Sequence, residues 1–345
     1  MKTPVSRKGL VIRGSRNIFT VRLDDEGEGR RCLACRIKGK VLKGMEAYSN
    51  PLAPGDRVTV ELERDPPGGI LRSPGGDSGA PGAGLITGVL ERRNLFTRKN
   101  QKALGAGRAA EAQILAANVD LILVLTTPAS PPFRPRFLDR VLVQADASGI
   151  AAAIICNKQD LLDSSADPEG DWLDMEERLE DFKRIGYPVL RVSAKTGEGL
   201  SALRDLIRGR CAVLVGQSGV GKSSLVNALR PEAQARVGAL NEKYDRGNHT
   251  TTLAEIIEIP GTAETLLIDT PGIRRFVPQG LGAEELVLRM REFAPLAGKC
   301  SYGLSCTHRT EPGCKILEAA AAGIIHEDRY ESFLRMREEL EEGRG

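Results

Sequence analysis

The chain has 345 residues, of which 41% are hydrophobic and only 4% aromatic, and its formal net charge is +3. This length predicts two or three domains with real cores, and the few aromatic residues argue against a chain built to stack many bases. The N-terminus leads into no apolar segment and no apolar run approaches the ~20 residues of a membrane span, so we expect a cytoplasmic protein with no membrane partner. In that compartment the seven cysteines are expected to stay reduced.

The basic residues are concentrated in two segments of this nearly neutral chain. Residues 1–45 hold twelve Lys/Arg against four Asp/Glu, and residues 91–108 hold six against one. Such segments indicate a face for an anionic polymer, and the alternative is a pair of solvated surfaces.

The first 92 residues predict a small β-barrel. Strand patterns occupy residues 9–14, 17–23, 31–38, 56–62 and 85–90. Five strands in this length suit an OB-type barrel, which commonly holds oligonucleotides, and an SH3-like barrel is the alternative. Residues 65–84 are rich in Gly and Pro and predict a flexible loop between strands.

From residue 119 the pattern changes to alternating strands and helices. Predicted strands occupy 119–125, 151–156, 189–192 and 211–215, with a hairpin at 254–259 and 265–268; predicted helices occupy 136–147, 171–185 and 200–207. This alternation predicts a largely parallel α/β sheet with helices on both faces.

The C-terminal part predicts a third, mostly α-helical unit. It contains a helix near 284–293, a Cys/His cluster at 300–314 and helical sequence to the end. We therefore expect three domains, at residues 1–92, 93–282 and 283–345.

A phosphate-binding loop follows the predicted strand 211–215. Residues 216–223 fit the pattern G-x-x-x-x-G-K-S and precede a helix start. Backbone N–H groups of such a loop cradle phosphate oxygens, Lys222 is expected to reach the β and γ oxygens, and Ser223 to bind Mg²⁺. The predicted contacts are Gly216, Gln217, Ser218, Gly219, Val220, Gly221, Lys222, Ser223 and Ser224.

Two further motifs predict recognition of guanine. Residues 157–160 read N-K-Q-D and residues 193–195 read S-A-K, each after a predicted strand. A carboxylate at Asp160 can accept both guanine N1–H and N2–H₂, whereas adenine would leave it unpaired. The predicted ligands are GTP and GDP, and the predicted contacts are Asn157, Lys158, Asp160, Ser193, Ala194 and Lys195.

The sequence D-T-P-G at 269–272 predicts the second switch of a GTPase. Asp269 is expected to hold Mg²⁺ through water, and the Gly272 N–H to sense the γ-phosphate. Ile273 follows, and it cannot orient water as a Gln does, so His249 is predicted to be catalytic; a merely exposed histidine is the alternative. The predicted catalytic groups are His249, Lys222 and Gly272, and the predicted magnesium ligands are Ser223, Thr250, Thr251 and Asp269.

The order of these motifs indicates a circularly permuted GTPase. The conventional order begins with the phosphate loop, but here the guanine-reading motifs precede it. The predicted helix 200–207 runs directly into strand 211–215, which fuses the usual chain ends. Because the segment after residue 272 leads into the third unit, we hypothesise that nucleotide state sets the position of that unit relative to the barrel.

The spacing Cys300-x₅-Cys306-x-His308-x₅-Cys314 predicts a metal site. Three thiolates and one imidazole within fifteen residues are typical of a closed structural Zn²⁺ site. The alternative is three buried thiols and an unrelated histidine. A site without an open position is expected to stabilise the fold rather than to catalyse.

With these motifs, the chain resembles the ribosome small-subunit-dependent GTPase A family over nearly its whole length. The residues that carry the resemblance are at 118–120, 157–160, 216–223, 247–252 and 311–314. The resemblance implies a late assembly factor of the small ribosomal subunit that contacts its rRNA and hydrolyses GTP slowly until that subunit stimulates it. It also implies a catalytic His249 and zinc at the Cys₃His set. Asn248 stands where the family usually has a basic residue, and the loop at 65–84 is longer than expected.

Three alternatives differ in partner or activity. A permuted GTPase could serve the large subunit, the chain could be a P-loop kinase or metabolic NTPase, or it could be an RNA-binding module with a decayed GTPase. The barrel with its Cys₃His set, the guanine motifs and the intact phosphate contacts argue against each in turn. The expected partners are therefore the small ribosomal subunit and its rRNA, with the chain itself a monomer.

Overall fold

The computed structural model describes most of the chain. The described residues are 6–15, 17–24, 32–43, 45, 47–62, 83–100, 112–162, 171–230, 254–261 and 263–343. Most of the predicted loop at 65–84 lies outside them, as do His249, Thr250 and Thr251 and the basic positions of 101–108.

The N-terminal strands form a closed five-stranded barrel. Their bounds are Ser6–Ser15 (β1), Ile18–Leu23 (β2), Cys32–Ile37 (β3), Arg57–Leu62 (β4) and Ala83–Val89 (β5). The order is β1-β2-β3-β5-β4, and β4 pairs back onto β1. Only the β3–β5 pair is parallel. Side chains alternate between core and surface: in β4, Val58 and Val60 are buried in the core, while Thr59 between them is partly exposed. This architecture confirms the predicted OB-type barrel.

A two-stranded sheet follows the barrel, and sequence analysis missed it. Its strands are Leu95–Lys99 (β6) and Ala112–Ala117 (β7), paired antiparallel. The segment had been interpreted from its charge alone, yet Phe96 is fully buried and stacks on Phe276 with ring centroids 5.7 Å apart. The hairpin is therefore anchored in the core rather than being only a charged surface.

The central sheet has the predicted α/β character. Its strands are Leu121–Thr126 (β8), Ala151–Cys156 (β9), Val189–Arg191 (β10), Cys211–Gly216 (β11), Glu255–Ile259 (β12) and Thr265–Asp269 (β13). The order is β10-β9-β8-β11-β13-β12, in which only β12 is antiparallel to its neighbour. Through β12 the sheet continues into the barrel, where Arg13 of β1 lies opposite Glu255.

Among the described residues, four helices cover the two faces of this sheet. They are Pro135–Ala147 (α1), Asp171–Arg184 (α2), Leu200–Ile207 (α3) and Lys222–Ala228 (α4). In β8, Ile122 and Val124 face the core under α1 and α2, whereas Leu121 and Leu123 face the core under α3 and α4. The period-two alternation of apolar residues thus fills both faces, as expected of a covered parallel sheet.

The C-terminal residues form a third hydrophobic core around the cysteine cluster. Two helices, Lys315–Ala321 (α5) and Glu327–Glu341 (α6), confirm the predicted helical sequence. The helix predicted near 284–293 is wrong. The structure has 3₁₀ turns at Leu286–Arg289 and Ala294–Leu296, neither with a side-chain cap, and Met290 and Phe293 are buried in this core.

A buried ion pair and a partly buried one join this third core to the central domain. Arg329 of α6 is fully buried; it donates to Asp139 of α1 at 2.7 Å and to both oxygens of Glu292 at 2.6 and 2.9 Å. Arg140 and Glu339 form a second, bidentate pair with both distances 2.7 Å. Because breaking a buried pair leaves an uncompensated charge, these contacts hold α6 on α1.

Within the described part of the chain, none of the helices combines the length and the apolar character needed to cross a bilayer.

Candidate nucleotide site and metal centre

Four of the sequence motifs lie at one edge of the central sheet. Residues 157–160 follow β9, residues 193–195 follow β10, residues 216–223 end β11 and begin α4, and residues 269–272 end β13. These strands are parallel, so their carboxyl ends share an edge. The strands that follow β8 are added on one side of it, and those from β11 onward are added on the other side, so the strand order reverses between β8 and β11. Ligands of open α/β sheets bind at such a point. The motifs lie together because their strands are neighbours in the sheet, although they are far apart along the chain.

Glycines shape the phosphate loop. Gly219 and Gly221 have φ of +87° and +88°, in the left-handed region that favours glycine. A Cβ on Gly221 would lie 2.4 Å from Asn157 Nδ2, and a Cβ on Gly216 would lie 2.9 Å from Val220 Cγ2. The loop therefore needs glycine both for its backbone conformation and for its close approach to the guanine motif.

Lys222 is folded against the phosphate loop. Its Nζ donates to the carbonyl oxygens of Gly216 and Gln217, both at 3.0 Å, and the side chain is buried. Burial lowers the pKa of Lys222, and the nearby carboxylate of Asp269 opposes that shift. A phosphate oxygen would give this ammonium a stronger, charged acceptor than the two carbonyls.

Asn157 links the guanine motifs to the phosphate loop. It is 1% exposed; its Nδ2 donates to Val220 O at 2.9 Å, and its Oδ1 accepts from Ala194 N at 3.1 Å. Lys158 has φ of +65°, and its Nζ donates to Ser130 O at 2.5 Å. The Asn157 side chain thus fixes its own segment relative to the phosphate loop at Val220 and to the motif at 193–195.

Asp160 is held as an ionised acceptor. The Ser193 hydroxyl donates to its Oδ1 at 2.6 Å, and Lys195 Nζ lies 3.6 Å from its Oδ2. The hydrogen bond from Ser193 is the main reason that the pKa of Asp160 lies below its ordinary value. At neutral pH the carboxylate can therefore accept two N–H groups from one ligand.

Oxygen groups suited to a magnesium ion meet beside the phosphate loop. Ser223 Oγ lies 3.4 Å from Asp269 Oδ2, and hydroxyl and carboxylate oxygens are the ligands that Mg²⁺ prefers. Gly272 lies directly against the loop, since a Cβ there would come within 2.8 Å of Ser218 Cα. His249, Thr250 and Thr251 fall outside the described residues, so their places at this site stay predictions.

The Cys₃His set forms a compact cluster. The four ligand atoms of Cys300, Cys306, His308 and Cys314 lie within 4.8 Å of one another, and all four residues are buried. The Cys300 and Cys314 sulfurs are 3.8 Å apart, and His308 Nδ1 lies 3.6 and 3.4 Å from them. A tetrahedral ion with metal–sulfur bonds of about 2.3 Å separates two sulfurs by about 3.8 Å. The cluster can hold a metal ion.

The loop that carries these ligands is organised by Glu311. Its carboxylate accepts from the backbone N–H groups of Thr307, Arg309 and Thr310 at 2.6, 2.8 and 3.1 Å. Burial raises the pKa of this carboxyl, but the hydrogen bonds, above all from the Thr307 side chain, outweigh it and bring the pKa to about 2. Sequence analysis identified this residue only through the resemblance, because nothing in its spacing shows what it accepts from.

Comparison with known proteins agrees with this architecture. The profile of the family described as RsgA GTPase matches residues 89–278. The "Small ribosomal subunit biogenesis GTPase RsgA" of Bacteroides fragilis is 35% identical over 338 residues, covering 98% of each chain.

Two solved structures are similar over nearly the whole length. YjeQ from Thermotoga maritima is 28% identical with a TM-score of 0.66, covering 97% of this chain and 99% of its own. YloQ, described as a circularly permuted GTPase, shares the fold at 23% identity and a TM-score of 0.64, covering 99% of this chain and 97% of its own.

The permuted strand order, the intact nucleotide motifs and the full-length similarity together confirm the resemblance seen in the sequence: this chain belongs to the RsgA GTPase family.

Proposed function

We propose that this GTPase binds GTP at the carboxyl edge of its central sheet and uses its hydrolysis in the biogenesis of the small ribosomal subunit. The observation that carries the nucleotide site is the bond from Asn157 Nδ2 to Val220 O, which joins the guanine motifs to the phosphate loop. The ribosomal part is supported by the full-length similarity to relatives named for small-subunit biogenesis.

Guanine recognition follows from the geometry at Asp160. Its ionised carboxylate accepts guanine N1–H and N2–H₂, while the Ala194 N–H turns to the guanine carbonyl. The stem of Lys158 packs on the ring. Adenine presents an acceptor at N1 and would leave the carboxylate unpaired, so ATP is rejected.

Hydrolysis follows from the phosphate loop and the 269–272 segment. Lys222 exchanges its two carbonyl acceptors for β and γ oxygens, and the Gly272 N–H donates to the γ-phosphate. Ser223 and Asp269, with Thr250 or Thr251, would hold Mg²⁺, which neutralises charge that develops on the phosphates. His249 orients the attacking water in this proposal, since Ile273 offers no polar group.

The metal at the C-terminal cluster is proposed to be one structural Zn²⁺. Three thiolates and an imidazole are the soft donor set that zinc prefers, and the four positions are filled by protein. Its role is to fix the loop at 300–314 against α6.

The domains are proposed to have separate roles. We propose boundaries at residues 92/93 and 282/283, with the barrel contacting rRNA through exposed basic residues such as Arg7, Lys8 and Arg13. The chain would act as a monomer in the cytoplasm, where the small subunit is assembled.

The test is GTP turnover by the purified protein alone, with small subunits and with large subunits. Strong stimulation by the small subunit alone is expected. A rate that neither subunit changes would contradict the ribosomal role while leaving the GTPase in place. His249→Ala is expected to reduce turnover with GDP binding retained, and unchanged turnover would remove the histidine from the mechanism.

A further inference from the structure

A cavity rich in arginine lies beside the phosphate loop. We define the arginine pocket by its lining from four places: residues 133–137 and 140 at the start of α1, Gln217 of the phosphate loop, residues 274–276 after Gly272, and Asp328 of α6. Its volume is about 440 Å³. None of the guanine-reading residues lines it, so it is separate from the site of the GTP base.

The pocket carries a surplus of positive charge. Its lining contains the five arginines Arg134, Arg136, Arg140, Arg274 and Arg275. Three of them pair with Glu331 or Glu339. Among the residues that the structure describes, no carboxylate lies within 4 Å of the Arg134 or Arg274 guanidinium, and both side chains are exposed. Two guanidiniums are thus available to an anion from outside.

The chemistry of the lining favours a nucleotide. All five cations are arginines rather than lysines, and the planar guanidinium both binds phosphate in a bidentate way and stacks on flat rings. Phe133 is a partly exposed aromatic residue of the same lining, while Phe137 and Phe276, which also line the cavity, are buried. Aromatic rings combined with arginine are the usual means of holding single-stranded nucleic acid. An acidic peptide would use the charge but not the ring.

The position of the pocket connects it to the nucleotide state. Gln217 belongs to the phosphate loop, and Arg274 is two residues beyond Gly272, which lies against Ser218 of that loop. The next residues are held by β6: Phe276 stacks on Phe96, and Lys99 N donates to Val277 O at 3.0 Å. A ligand in the pocket would therefore touch both segments expected to sense the γ-phosphate.

We propose that the arginine pocket binds one unpaired nucleotide of a single-stranded RNA segment, with its phosphates on Arg134 and Arg274 and its base on Phe133. Occupancy then fixes the segment after Gly272 and couples RNA contact to GTP hydrolysis. Only the identity of the bound RNA, that of the small subunit, rests on the proposed function.

The test is photo-crosslinking of the full-length protein, with Mg²⁺ and a non-hydrolysable GTP analogue, to a single-stranded RNA oligomer containing 4-thiouridine. Crosslinks at residues 133–140 and 274–276 are expected, and Arg134→Ala/Arg274→Ala should abolish them. The matched control is Arg208→Ala/Arg210→Ala, which removes two exposed arginines at the opposite edge of the sheet. The double variant should also lower the salt dependence of RNA affinity by about 1.4 logarithmic units per decade of salt, two phosphate contacts at about 0.7 each.

Three results would overturn the proposal. Crosslinks could fall outside the pocket or survive in the double variant; duplex RNA could compete as well as single-stranded RNA; or AMP could displace the oligomer at equal concentration, which would make this a site for a free mononucleotide. If the double variant does not fold, Arg274→Ala alone is judged by the same criteria. Failure of the ribosomal role would appear separately, as wild-type turnover that small subunits do not stimulate.

Discussion

The nucleotide edge and the metal centre are assembled in opposite ways. The nucleotide edge draws its residues from four strand ends between positions 157 and 272, whereas the metal centre takes four ligands from residues 300–314. The first depends on which strands are neighbours in the sheet, so permuting the chain leaves it intact. The second depends on one local loop and on the metal ion that we propose it holds. The two should therefore respond differently to mutation and to metal removal.

The largest expected effect is loss of the metal centre. Cys306→Ala removes a buried ligand, and structural zinc supplies about 10 kcal/mol or more of folding free energy in small zinc domains. We expect the residues after 283 to become protease-sensitive and the zinc content to fall to zero, while GDP affinity changes little. Cys32→Ala, an exposed cysteine in β3, is the control. Retained zinc would show that Cys306 is not a ligand, and a matching loss of GDP binding would show that the two centres are not independent.

The next effect concerns the guanine-reading carboxylate. Asp160→Asn replaces an ionised acceptor of two N–H groups by an amide that accepts only on one side. Hydrogen bonds to charged groups contribute about 1.5–3 kcal/mol each, so GTP affinity should fall by about a hundredfold or more, measured by calorimetry. XTP, which has a carbonyl in place of the 2-amino group, should gain affinity. Asp205→Asn, at an exposed carboxylate, is the control. Equal GTP affinity in Asp160→Asn would place the base elsewhere.

A smaller effect is expected at the contact between the two phosphate-sensing segments. Gly272→Ala places a Cβ 2.8 Å from the backbone of Ser218, so one segment has to move away from the other. We expect turnover to fall about tenfold to a hundredfold with GDP affinity nearly unchanged, since a donor aimed at the γ-phosphate is displaced. Gly39→Ala, where an added Cβ meets nothing within 4 Å, is the control. Wild-type turnover would show that Gly272 takes no part.

Ser193→Ala should have a modest effect without pH dependence near neutrality. Loss of the hydroxyl removes the main hydrogen bond that lowers the pKa of Asp160, and should weaken GTP binding by about tenfold. The pKa of Asp160 in the folded protein lies below its ordinary value, so the carboxylate is ionised and contributes fully to GTP affinity at any pH above the ordinary pKa. This contribution is lost only as the pH falls through the lower pKa of the folded protein. Wild-type affinity should therefore show no loss from Asp160 between pH 5 and 8. Ser201→Ala, exposed on α3, is the control; a loss of affinity at pH 5 in wild type that Asp160→Asn abolishes would contradict the assignment.

The smallest expected effect is a change in the distance between the barrel and the third domain. Spin labels on the barrel and on α6 should report a shift of a few ångströms between GDP and a non-hydrolysable GTP analogue, because residues 273–277 connect the phosphate-sensing segment to the third domain. The shift is small because Ile273, Phe276 and Val277 are buried. Identical distances in both nucleotides would contradict the hypothesis that nucleotide state sets the position of the third domain.

The sequence predicted the parts of this molecule whose physical cause is local. Strand and helix periodicity placed the OB-type barrel and the permuted sheet, and a phosphate loop is recognisable because left-handed positions such as Gly219 and Gly221 require glycine. What it missed depends on tertiary packing. The β6–β7 hairpin is held by Phe96 on Phe276, and the apolar spacing at 284–293 fits a helix although the segment folds as 3₁₀ turns.

In the candidate site, too, the sequence predicted the local features and missed those that depend on tertiary packing. The identities of Asn157 and Asp160 were predicted from their tetrapeptide, but not that Asn157 would also bond to Val220, sixty-three residues away along the chain. The arginine pocket has no sequence signature at all, since Arg134 and Arg274 line one cavity only because the start of α1 and the segment after β13 both lie beside the phosphate loop.

The most direct measurement is a crystal structure with Mg²⁺ and a non-hydrolysable GTP analogue. We expect the guanine against Asp160, the phosphates within the loop at 216–223, and Lys222 turned from the carbonyls of Gly216 and Gln217 to the β and γ oxygens. A base bound away from Asp160, or a Lys222 still bonded to those two carbonyls, would contradict this expectation.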